Sequence, residues 1–392
     1  MVTGLGVVSE AGIGPDALWR SLVESEPPVG HREVVDFDPT RWFSKREIRR
    51  LERFTQVGVA AGLMAAEDAG LYLREGRAGE VYAELDVQRC GVLFGSGGCP
   101  SEQAVVDFHA QGEIAVSPLL TPNVIPSILA SHSSIRLGWQ GPSETVHAAC
   151  ATGNIALGSA ARRIVTGEAD VMLVGAAQMA IFGLGLVSMA KLGVFALDGV
   201  MRPFDPDRSG FVNAEGGAAL VLEGLDHARR RGARILAEVK GWSSTADAHG
   251  LAAPAPEGVG SARCISVALA HAGVAPEDIG QINAHGTATK LNDQTEAKAV
   301  NVVFGTPGPP ITSTKPITGH LGDAAGAMEA VCVVLSIGRG IIPPTRGHRQ
   351  MDPEFSIDLV TEPRSWSPGV AISNGLGLGG HNACVVFGPP PQ

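Results

Sequence analysis

Cys150 is the residue best placed in this sequence to act as a nucleophile. It lies in the segment Ala149-Cys150-Ala151-Thr152-Gly153, directly before an alanine-rich stretch that predicts a helix. A thiol at a helix N-terminus meets the positive end of the helix dipole, so we expect a lowered pKa and thiolate character. The small neighbouring residues would let a substrate approach the sulfur. Taken alone, however, a free cysteine is more often a small buried apolar side chain.

Two histidines could complete a reactive centre with this thiol. His285 and His320 each follow an apolar segment, within Asn283-Ala-His285-Gly and Lys315-Pro-Ile-Thr-Gly-His320. A lone histidine is usually structural, but two beside one thiol could both donate hydrogen bonds to the oxyanion of a thioester enolate. Lys315 would keep the local field positive, and Glu329 in the following helix could orient Lys315 or a histidine. The combination is much more specific than any one of these residues.

A glycine-rich segment, Ser373-Asn-Gly-Leu-Gly-Leu-Gly-Gly-His-Asn382, resembles a phosphate-binding loop. Its context argues against a nucleotide, because the segment Ala383–Phe387 that follows predicts a strand rather than a helix. A turn that aims a backbone N–H at the thiol, as part of an oxyanion hole, fits the pattern better.

The composition limits what kind of protein can hold these residues. The chain has 392 residues, 44% of them hydrophobic and 18% charged, which favours two core-forming halves and excludes a disordered chain. The net charge of -10 and the 5% aromatic content argue against a nucleic-acid-binding surface. Six scattered cysteines without a C-x-x-C pair predict no zinc site and no disulfide framework, and therefore a cytoplasmic protein.

Neither a signal peptide nor a membrane span is predicted. The N-terminus has no basic region before its apolar residues. The most apolar stretch, Met179–Leu197, is interrupted by glycines and by Lys191, so we interpret it as a buried segment that lines a cavity.

Short apolar runs alternate with alanine-rich helical patterns, which predicts an α/β fold with strands buried on both faces. Predicted strands include segments 91–94, 170–174, 218–222, 235–240 and 371–373, and predicted helices include Asn154–Val165 and Ala324–Ile337. The polar segment 223–233 is the best junction, so we expect an N-terminal half, 1–225, and a C-terminal half, 226–392.

A weak internal repeat links the two halves. Residues 144–153 and 311–322 each predict a strand, then a sharp turn with one reactive side chain, then a helix rich in small residues. If the halves are related, Cys150 and His320 occupy equivalent turns and meet at one interface.

Nearly the whole chain resembles the β-ketoacyl-acyl-carrier-protein synthases of the synthase II type, including type II polyketide ketosynthases. The resemblance rests on ordered motifs: Ala149-Cys-Ala-Thr-Gly153, Asn283-Ala-His-Gly-Thr-Ala-Thr289, Ser313-Thr-Lys-Pro-Ile-Thr-Gly-His320, Ala324-Ala-Gly-Ala-Met-Glu329 and Asn374-Gly-Leu-Gly-Leu-Gly-Gly380. It implies a thiolase-like αβαβα five-layer fold of two pseudo-repeated halves, with the cysteine in the first half and both histidines in the second.

The resemblance also implies a mechanism. Cys150 would accept an acyl group from a carrier protein, and malonyl-carrier protein would then lose carbon dioxide while His285 and His320 polarise its thioester carbonyl. The carbanion would attack the acyl group and give a β-ketoacyl product two carbons longer, without metal or organic cofactor. The N–H groups of Cys150 and Leu378 would form the oxyanion hole, and Lys315 and Glu329 would support the histidines.

Further substrate contacts follow from the same resemblance. Thr287 and Thr289 match positions that contact the pantetheine arm, and Met189 of the lining segment is a further substrate-binding candidate. Gly98 stands where the family usually has a bulky gating residue, so we expect a wider acyl pocket.

Acyl carrier protein is the expected partner. Carrier proteins are acidic, so a chain of net charge -10 needs a local basic face. Residues 45–53 (Lys-Arg-Glu-Ile-Arg-Arg-Leu-Glu-Arg) would place five cations on one side of a helix, and Arg46, Arg49 and Arg50 align with docking positions. A merely solvated basic helix is the alternative. The resemblance also implies a dimer, either with itself or with a chain-length-factor-like homologue.

Some departures from the family favour secondary metabolism. Leu376 and Leu378 replace phenylalanines, and Ala252 and Ala253 replace hydroxyl residues. We therefore favour a discrete polyketide or polyene ketosynthase. The alternatives are a housekeeping fatty-acid synthase II, a non-elongating acyltransferase and a non-catalytic chain-length factor.

Overall fold

The computed structural model describes residues 1–72, 85–98, 102–179 and 183–391; Cys99 lies outside them. The strands in this part of the chain are β1 (Val2–Ser9), β2 (Gly12–Ile13), β3 (Cys90–Gly95), β4 (Ser143–Val146), β5 (Val171–Gln178), β6 (Gly216–Glu223), β7 (Glu238–Ala246), β8 (Ile279–Asn283), β9 (Ile311–Thr312), β10 (Ile341–Ile342), β11 (Arg364–Ser365), β12 (Val370–Gly377) and β13 (His381–Gly388).

The α-helices in the same ranges are α1 (Pro15–Glu24), α2 (Lys45–Ile48), α3 (Arg53–Asp68), α4 (Glu102–Gln111), α5 (Leu120–Val124), α6 (Ile128–Leu137), α7 (Thr152–Val165), α8 (Gly183–Lys191), α9 (Leu225–Arg230), α10 (Val259–Ala272), α11 (Lys290–Phe304), α12 (Lys315–Thr318) and α13 (Ala325–Arg339).

Two sheets with matching topology form the framework. The first has the order β2-β1-β6-β5-β3-β4 and the second the order β7-β13-β12-β8-β9. From β1 to β4, neighbouring pairs run antiparallel, antiparallel, parallel and parallel, and the second sheet repeats this sequence from β7 to β9. The strands of the first sheet lie within residues 2–223 and those of the second within 238–388. The pseudo-repeat is therefore confirmed, and β4 and β9 are equivalent strands.

Helices α7 and α13 form the layer between the sheets. Helix α7 packs against β3 and β5 of the first sheet and against β12 and β13 of the second, while α13 packs against β6 and β12. The sequence of α13, rich in alanine and valine, is buried from Ala325 to Ile337, as expected for a helix covered on all sides. On the outer faces, α3 covers the first sheet and α10 covers the second, so the five layers predicted from the resemblance are confirmed.

Two glycines let the central helices approach closely at their N-terminal ends. A Cβ on Gly153 of α7 would lie 2.3 Å from the backbone nitrogen of Ala327, and one on Gly326 of α13 would lie 2.7 Å from that of Asn154. This contact brings the turn before α7 next to the turn before α13, so the residues at those turns face each other.

Most predicted elements agree with the structure, but the burial of Met179–Leu197 is wrong. Within its described part, α8 and the residues after it are largely exposed; Leu184 is 76% and Leu197 93% accessible. The apolar residues predicted a buried segment that lines a cavity, whereas no described layer of this chain covers α8. No described helix has the length and apolar character needed to cross a bilayer. The predicted strand 235–240 starts later, as β7.

Candidate active site

Cys150 lies on the tight turn between β4 and α7. The residue before it, Ala149, has a φ of 48°, a left-handed conformation that is costly for a residue with a Cβ. The turn is held by the Thr152 hydroxyl, which accepts a hydrogen bond of 2.8 Å from the Ala148 N–H. This geometry fixes the direction of the thiol, which points toward the second half of the chain.

His320 lies at the equivalent turn before α13 and reaches the thiol. Its Nε2 is 3.1 Å from the Cys150 Sγ, within hydrogen-bond distance for sulfur. The ring of Phe211 packs edge-on against the imidazole, with centroids 4.7 Å apart, and the His320 N–H donates to the Val212 carbonyl at 2.8 Å. The predicted meeting of Cys150 and His320 at one interface is thus present in the structure.

His285 follows β8 and completes the cluster. Its ring centroid is 5.5 Å from that of His320, with an interplanar angle of 83°. The turn that carries it is held by the buried Glu296, whose carboxylate accepts the N–H groups of His285 and Gly286 at 2.8 Å each. Sequence reasoning did not identify Glu296. The available signal was an acidic residue on the buried face of α11, where a carboxylate needs hydrogen-bond donors.

Lys315 and Glu329 support His285 from behind. The Lys315 Nζ lies 3.3 Å from His285 Nδ1 and donates to the His285 carbonyl, and it forms a buried ion pair with Glu329. Since an ammonium group can only donate, His285 Nδ1 is an acceptor. The ring proton of neutral His285 is therefore on Nε2.

Burial controls the protonation of the reactive groups. It raises the pKa of Cys150 to about 12, which the nearby Lys315 only partly offsets. The predicted lowering of this pKa is therefore wrong, because loss of hydration outweighs the helix dipole. Burial, followed by the charge of Lys315, also lowers the pKa values of His285 and His320 well below 6.5. At neutral pH the resting site has a thiol and two uncharged imidazoles.

A cavity of about 370 Å³ opens onto these groups. Several residues predicted to bind substrate lie on its wall, with the hydroxyls of Thr287 and Thr289 only 3.0 Å apart. The predicted site residues that line the cavity are Cys150, His285, His320, Thr287, Thr289, Met189 and Leu378. The wall also contains Asp247, which sequence reasoning did not single out as a site residue.

The glycine-rich segment forms the hairpin between β12 and β13, as the predicted strand after it required. A Cβ on Gly377 would lie 3.3 Å from the backbone nitrogen of Cys150, so this hairpin packs directly on the nucleophile turn. Leu376 and Leu378 line the cavity.

Gly98 is not among the described residues that line this cavity. Its φ is +90°, and a Cβ there would point at the Val124 carbonyl, 2.7 Å away. A bulky residue at position 98 would therefore strain the backbone, so the predicted gate at Gly98 does not follow from this geometry.

The basic segment is exposed but is not one helix. Helix α2 begins at a capping box formed by Ser44 and Glu47 and ends at Ile48, and α3 begins at Arg53. Arg53 turns inward and pairs with Glu215 at 2.7 Å. The expectation of five cations on one helical face is wrong, whereas Arg46, Arg49 and Arg50 are exposed around the break.

The electrostatics of the cluster favour an anion over a metal ion. One potential ligand atom from each of Cys150, His285 and His320 lies within 4.8 Å of the other two, a spacing that could hold a metal. The ammonium group of Lys315 beside them opposes a second cation. The same charge would stabilise a negatively charged oxygen placed between the two imidazoles.

Comparisons with known proteins agree with this geometry. The family profile "Beta-ketoacyl synthase, N-terminal domain" matches residues 30–228, and "Beta-ketoacyl synthase, C-terminal domain" matches residues 236–349. The 3-oxoacyl-(acyl-carrier-protein) synthase 2 of Synechocystis sp. is 35% identical, covering 99% of this chain and 97% of the relative. The protein of the same name from Staphylococcus aureus is also 35% identical, covering 99% of this chain and 100% of the relative.

Two solved structures have the same fold over the whole chain. The ishigamide ketosynthase/chain length factor superposes with a TM-score of 0.90 at 34% identity, covering 100% of this chain and 98% of that one. A type II polyketide synthase acyl-carrier protein in complex with its ketosynthase, bound to the hexaketide, gives a TM-score of 0.86 at 28% identity, with coverage of 100% and 98%.

Proposed function

The chain belongs to the β-ketoacyl synthase family, and from this premise we propose that it condenses malonyl-carrier protein with an acyl group held on Cys150. The observation that carries the proposal is the approach of His320 Nε2 to within 3.1 Å of the Cys150 Sγ, with His285 beside both. The substrates are carried on the phosphopantetheine arm of an acyl carrier protein, and the reaction uses neither metal nor organic cofactor.

The first half-reaction acylates Cys150. Because burial keeps the thiol protonated, His320 Nε2 accepts its proton as Sγ attacks the acyl thioester carbonyl. The N–H groups of Cys150 and Leu378 stabilise the resulting oxyanion. His320 then returns the proton to the departing pantetheine sulfur, which leaves an acyl-Cys150 and a free carrier thiol.

The second half-reaction removes carbon dioxide and forms the new bond. His285 Nε2–H and His320 Nε2–H donate to the malonyl thioester oxygen as the carboxylate leaves, so the negative charge collects on that oxygen. The carbanion attacks the acyl carbonyl and expels the Cys150 thiolate, which takes up one proton from solvent and returns to the resting thiol. The product on the carrier is a β-ketoacyl chain two carbons longer.

His320 needs a different tautomer in each half-reaction. Its Nε2 must accept a proton in the first and donate one in the second. Among the described residues its Nδ1 has no hydrogen-bond partner, so no contact fixes the tautomer. His285, by contrast, is held as a donor by Lys315 and serves only the second half-reaction.

The remaining site residues act on the substrate arm and on the carrier. Thr287, Thr289 and Met189 contact the pantetheine arm or acyl chain along the cavity wall. Arg46, Arg49 and Arg50 bind the acidic carrier, since their charges are exposed on a chain of net charge -10.

A second subunit is expected on the first half of the chain. Exposed apolar side chains lie on α4 and α8, including Val106, Phe108, Leu184 and Val187. Clusters of exposed apolar side chains mark interaction surfaces, and among the described strands β4 forms an unpaired edge of the first sheet. We infer a dimer, formed with an identical chain or with a chain-length-factor-like homologue.

We favour a type II polyketide or polyene pathway over fatty-acid synthesis. Leu376 and Leu378 line the cavity with aliphatic side chains where the resemblance implies aromatic rings, and this departure favours a substrate other than the usual fatty-acyl chain. The fatty-acid alternative is supported by the two curated relatives. Faster extension of polyunsaturated than of saturated carrier-bound primers supports the polyketide or polyene pathway, and the reverse supports fatty-acid synthesis.

The scattered cysteines support a location in the reducing cytoplasm.

The experiment that tests the function incubates the protein with acyl-carrier protein and malonyl-carrier protein and follows carrier masses and carbon dioxide. A product two carbons longer with equimolar carbon dioxide supports condensation. Acyl transfer without carbon dioxide identifies the non-elongating acyltransferase. Failure to form acyl-Cys150 identifies a chain-length-factor-like subunit and contradicts the proposal.

A further inference from the structure

A histidine–carboxylate pair joins the turn before Cys150 to the turn after His320, outside the groups used above. His147 Nε2 is 3.2 Å from an oxygen of Asp323, with the His147 side chain 51% exposed and that of Asp323 11% exposed. His147 precedes Cys150 by three residues, and Asp323 follows His320 by three. The contact therefore joins the turn that carries the nucleophile to the turn that carries its proton acceptor.

Asp323 also connects the two turns to the first sheet through hydrogen bonds. Its second carboxylate oxygen accepts the Gly97 N–H at 2.6 Å, and its own N–H donates to the Gln178 side chain at 3.2 Å. Gly97 follows β3, Gln178 ends β5 and His147 follows β4, so the carboxyl ends of three parallel strands converge on one acidic side chain.

The negative charge of Asp323 opposes ionisation of the Cys150 thiol. Charged groups that face Cys150 are Lys315, which favours the thiolate, and Asp323 and Glu329, which oppose it. Asp323 is the charged group that faces His147 in the described part of the chain, and the hydrogen bond between them raises the pKa of His147. A protonated His147 therefore offsets a negative charge that otherwise suppresses the thiolate.

We propose that His147 and Asp323 are positioning residues for Cys150: their ion pair locks the two catalytic turns together and balances the carboxylate charge next to the thiol. The proposal deepens the proposed function, because it rests on Cys150 being the nucleophile. Loss of the positive charge on His147 leaves Asp323 uncompensated and makes Cys150 less reactive.

Alkylation of Cys150 by iodoacetamide tests this without any carrier substrate. The rate at the Cys150 peptide is followed by mass spectrometry from pH 5.5 to 9 in the wild type, His147→Gln, Asp323→Asn and the double variant. Asn at 323 keeps an oxygen for the Gly97 N–H, and His271→Gln, an exposed histidine of α10, is the matched control.

At pH 6, His147→Gln should slow alkylation about threefold to tenfold, the factor expected for removing one charge near a partly buried thiol. Asp323→Asn leaves the charge of protonated His147 unopposed and should accelerate alkylation, whereas the double variant lacks both charges and should resemble the wild type. Above the raised pKa of His147 the wild type loses its advantage over His147→Gln, so its rate rises less steeply with pH in that interval.

Equal rates in all variants would overturn the proposal, as would the same direction of change in both single variants, which indicates loss of structure and not of charge. The melting temperature of each variant identifies unfolded protein, and Asp323→Asn alone decides the sign if His147→Gln does not fold. Alkylation by iodoacetamide needs no carrier substrate. The alkylation rates therefore test this proposal independently of the condensation assay.

Discussion

Replacing His285 with alanine should separate the two half-reactions. The structure places His320, and not His285, at 3.1 Å from the Cys150 Sγ, so the proton acceptor for acylation is untouched by the change. His285 is a neutral donor whose Nε2 proton is fixed by the contact of Lys315 with Nδ1. Its removal takes away one of two donors to the malonyl thioester oxygen.

The expected magnitude follows from the loss of that single donor. One oxyanion donor in a buried site is worth about 2.7–4 kcal/mol in the transition state, so decarboxylation should fall by roughly 10²–10³. Acylation of Cys150 should fall by less than about tenfold, since only the shape of the cavity changes for that step. His320→Ala, which removes a group used in both steps, should slow both.

The assay measures the steps apart. Acylation is followed as the mass of acyl-Cys150 after mixing with acyl-carrier protein, and decarboxylation as labelled carbon dioxide released from malonyl-carrier protein. His271→Ala controls for loss of an imidazole away from the cavity. If His285→Ala slows acylation and decarboxylation equally, or leaves decarboxylation unchanged, the assignment of His285 to the second half-reaction alone is refuted.

Three further predictions concern the nucleophile, the buried ion pair and the carrier. Cys150→Ala should form no acyl adduct and no extended product yet still release carbon dioxide from malonyl-carrier protein, measured by the same two assays. Burial raises the pKa of Glu329 from 4.5 to about 7. Between pH 4.5 and 7, Glu329 is therefore protonated in the folded state and ionised in the unfolded state, so the folded state loses stability as the pH rises through this interval. Glu329→Gln should therefore lower the pH dependence of the unfolding free energy by up to about 1.4 kcal/mol per pH unit, measured by urea denaturation between pH 4.5 and 7. Reversing the charges of Arg46, Arg49 and Arg50 to glutamate should lower kcat/KM for the carrier-bound substrate at least about tenfold at low salt, with little change in kcat and a smaller loss at high salt.

Each of these variants has a matched control. Cys90→Ala removes a thiol whose pKa burial also raises to about 12 but which does not line the described cavity, so extension should persist. Glu277→Gln changes an exposed acid and should leave the pH dependence of stability unchanged. Arg162→Glu reverses an exposed charge on α7 and should leave kcat/KM unchanged. Extension by Cys150→Ala, a pH dependence retained by Glu329→Gln, or equal effects of the triple reversal and Arg162→Glu would contradict the respective assignments.

The sequence predicted the reactive cluster because turn motifs carry their own geometry. Cys150 and His320 precede helices rich in small residues, and these small residues let the N-terminal ends of the two helices come into close contact. The internal repeat also predicted that Cys150 and His320 lie on equivalent strand–turn–helix units, which the matching sheets confirm. These features depend on local pattern and on packing that small residues make possible.

What the sequence could not predict depends on long-range burial. The pKa of Cys150 rises because the second half of the chain covers the thiol, which no local motif reveals. The spacing of the basic segment predicts one helix, but α2 ends at Ile48 and α3 begins at Arg53, whose side chain pairs with Glu215. The His147–Asp323 pair joins residues 176 positions apart, so it emerged only from the fold.

The most direct test of the central claim is a single-turnover chase of the acyl group on Cys150. The protein is charged with a carbon-13-labelled acyl group, freed of carrier and mixed with unlabelled malonyl-carrier protein. The label should leave the Cys150 peptide and appear on the carrier in a β-ketoacyl chain two carbons longer, with one carbon dioxide released per chain. Label that stays on Cys150, or that reaches the carrier at its original length, would contradict condensation at this thiol.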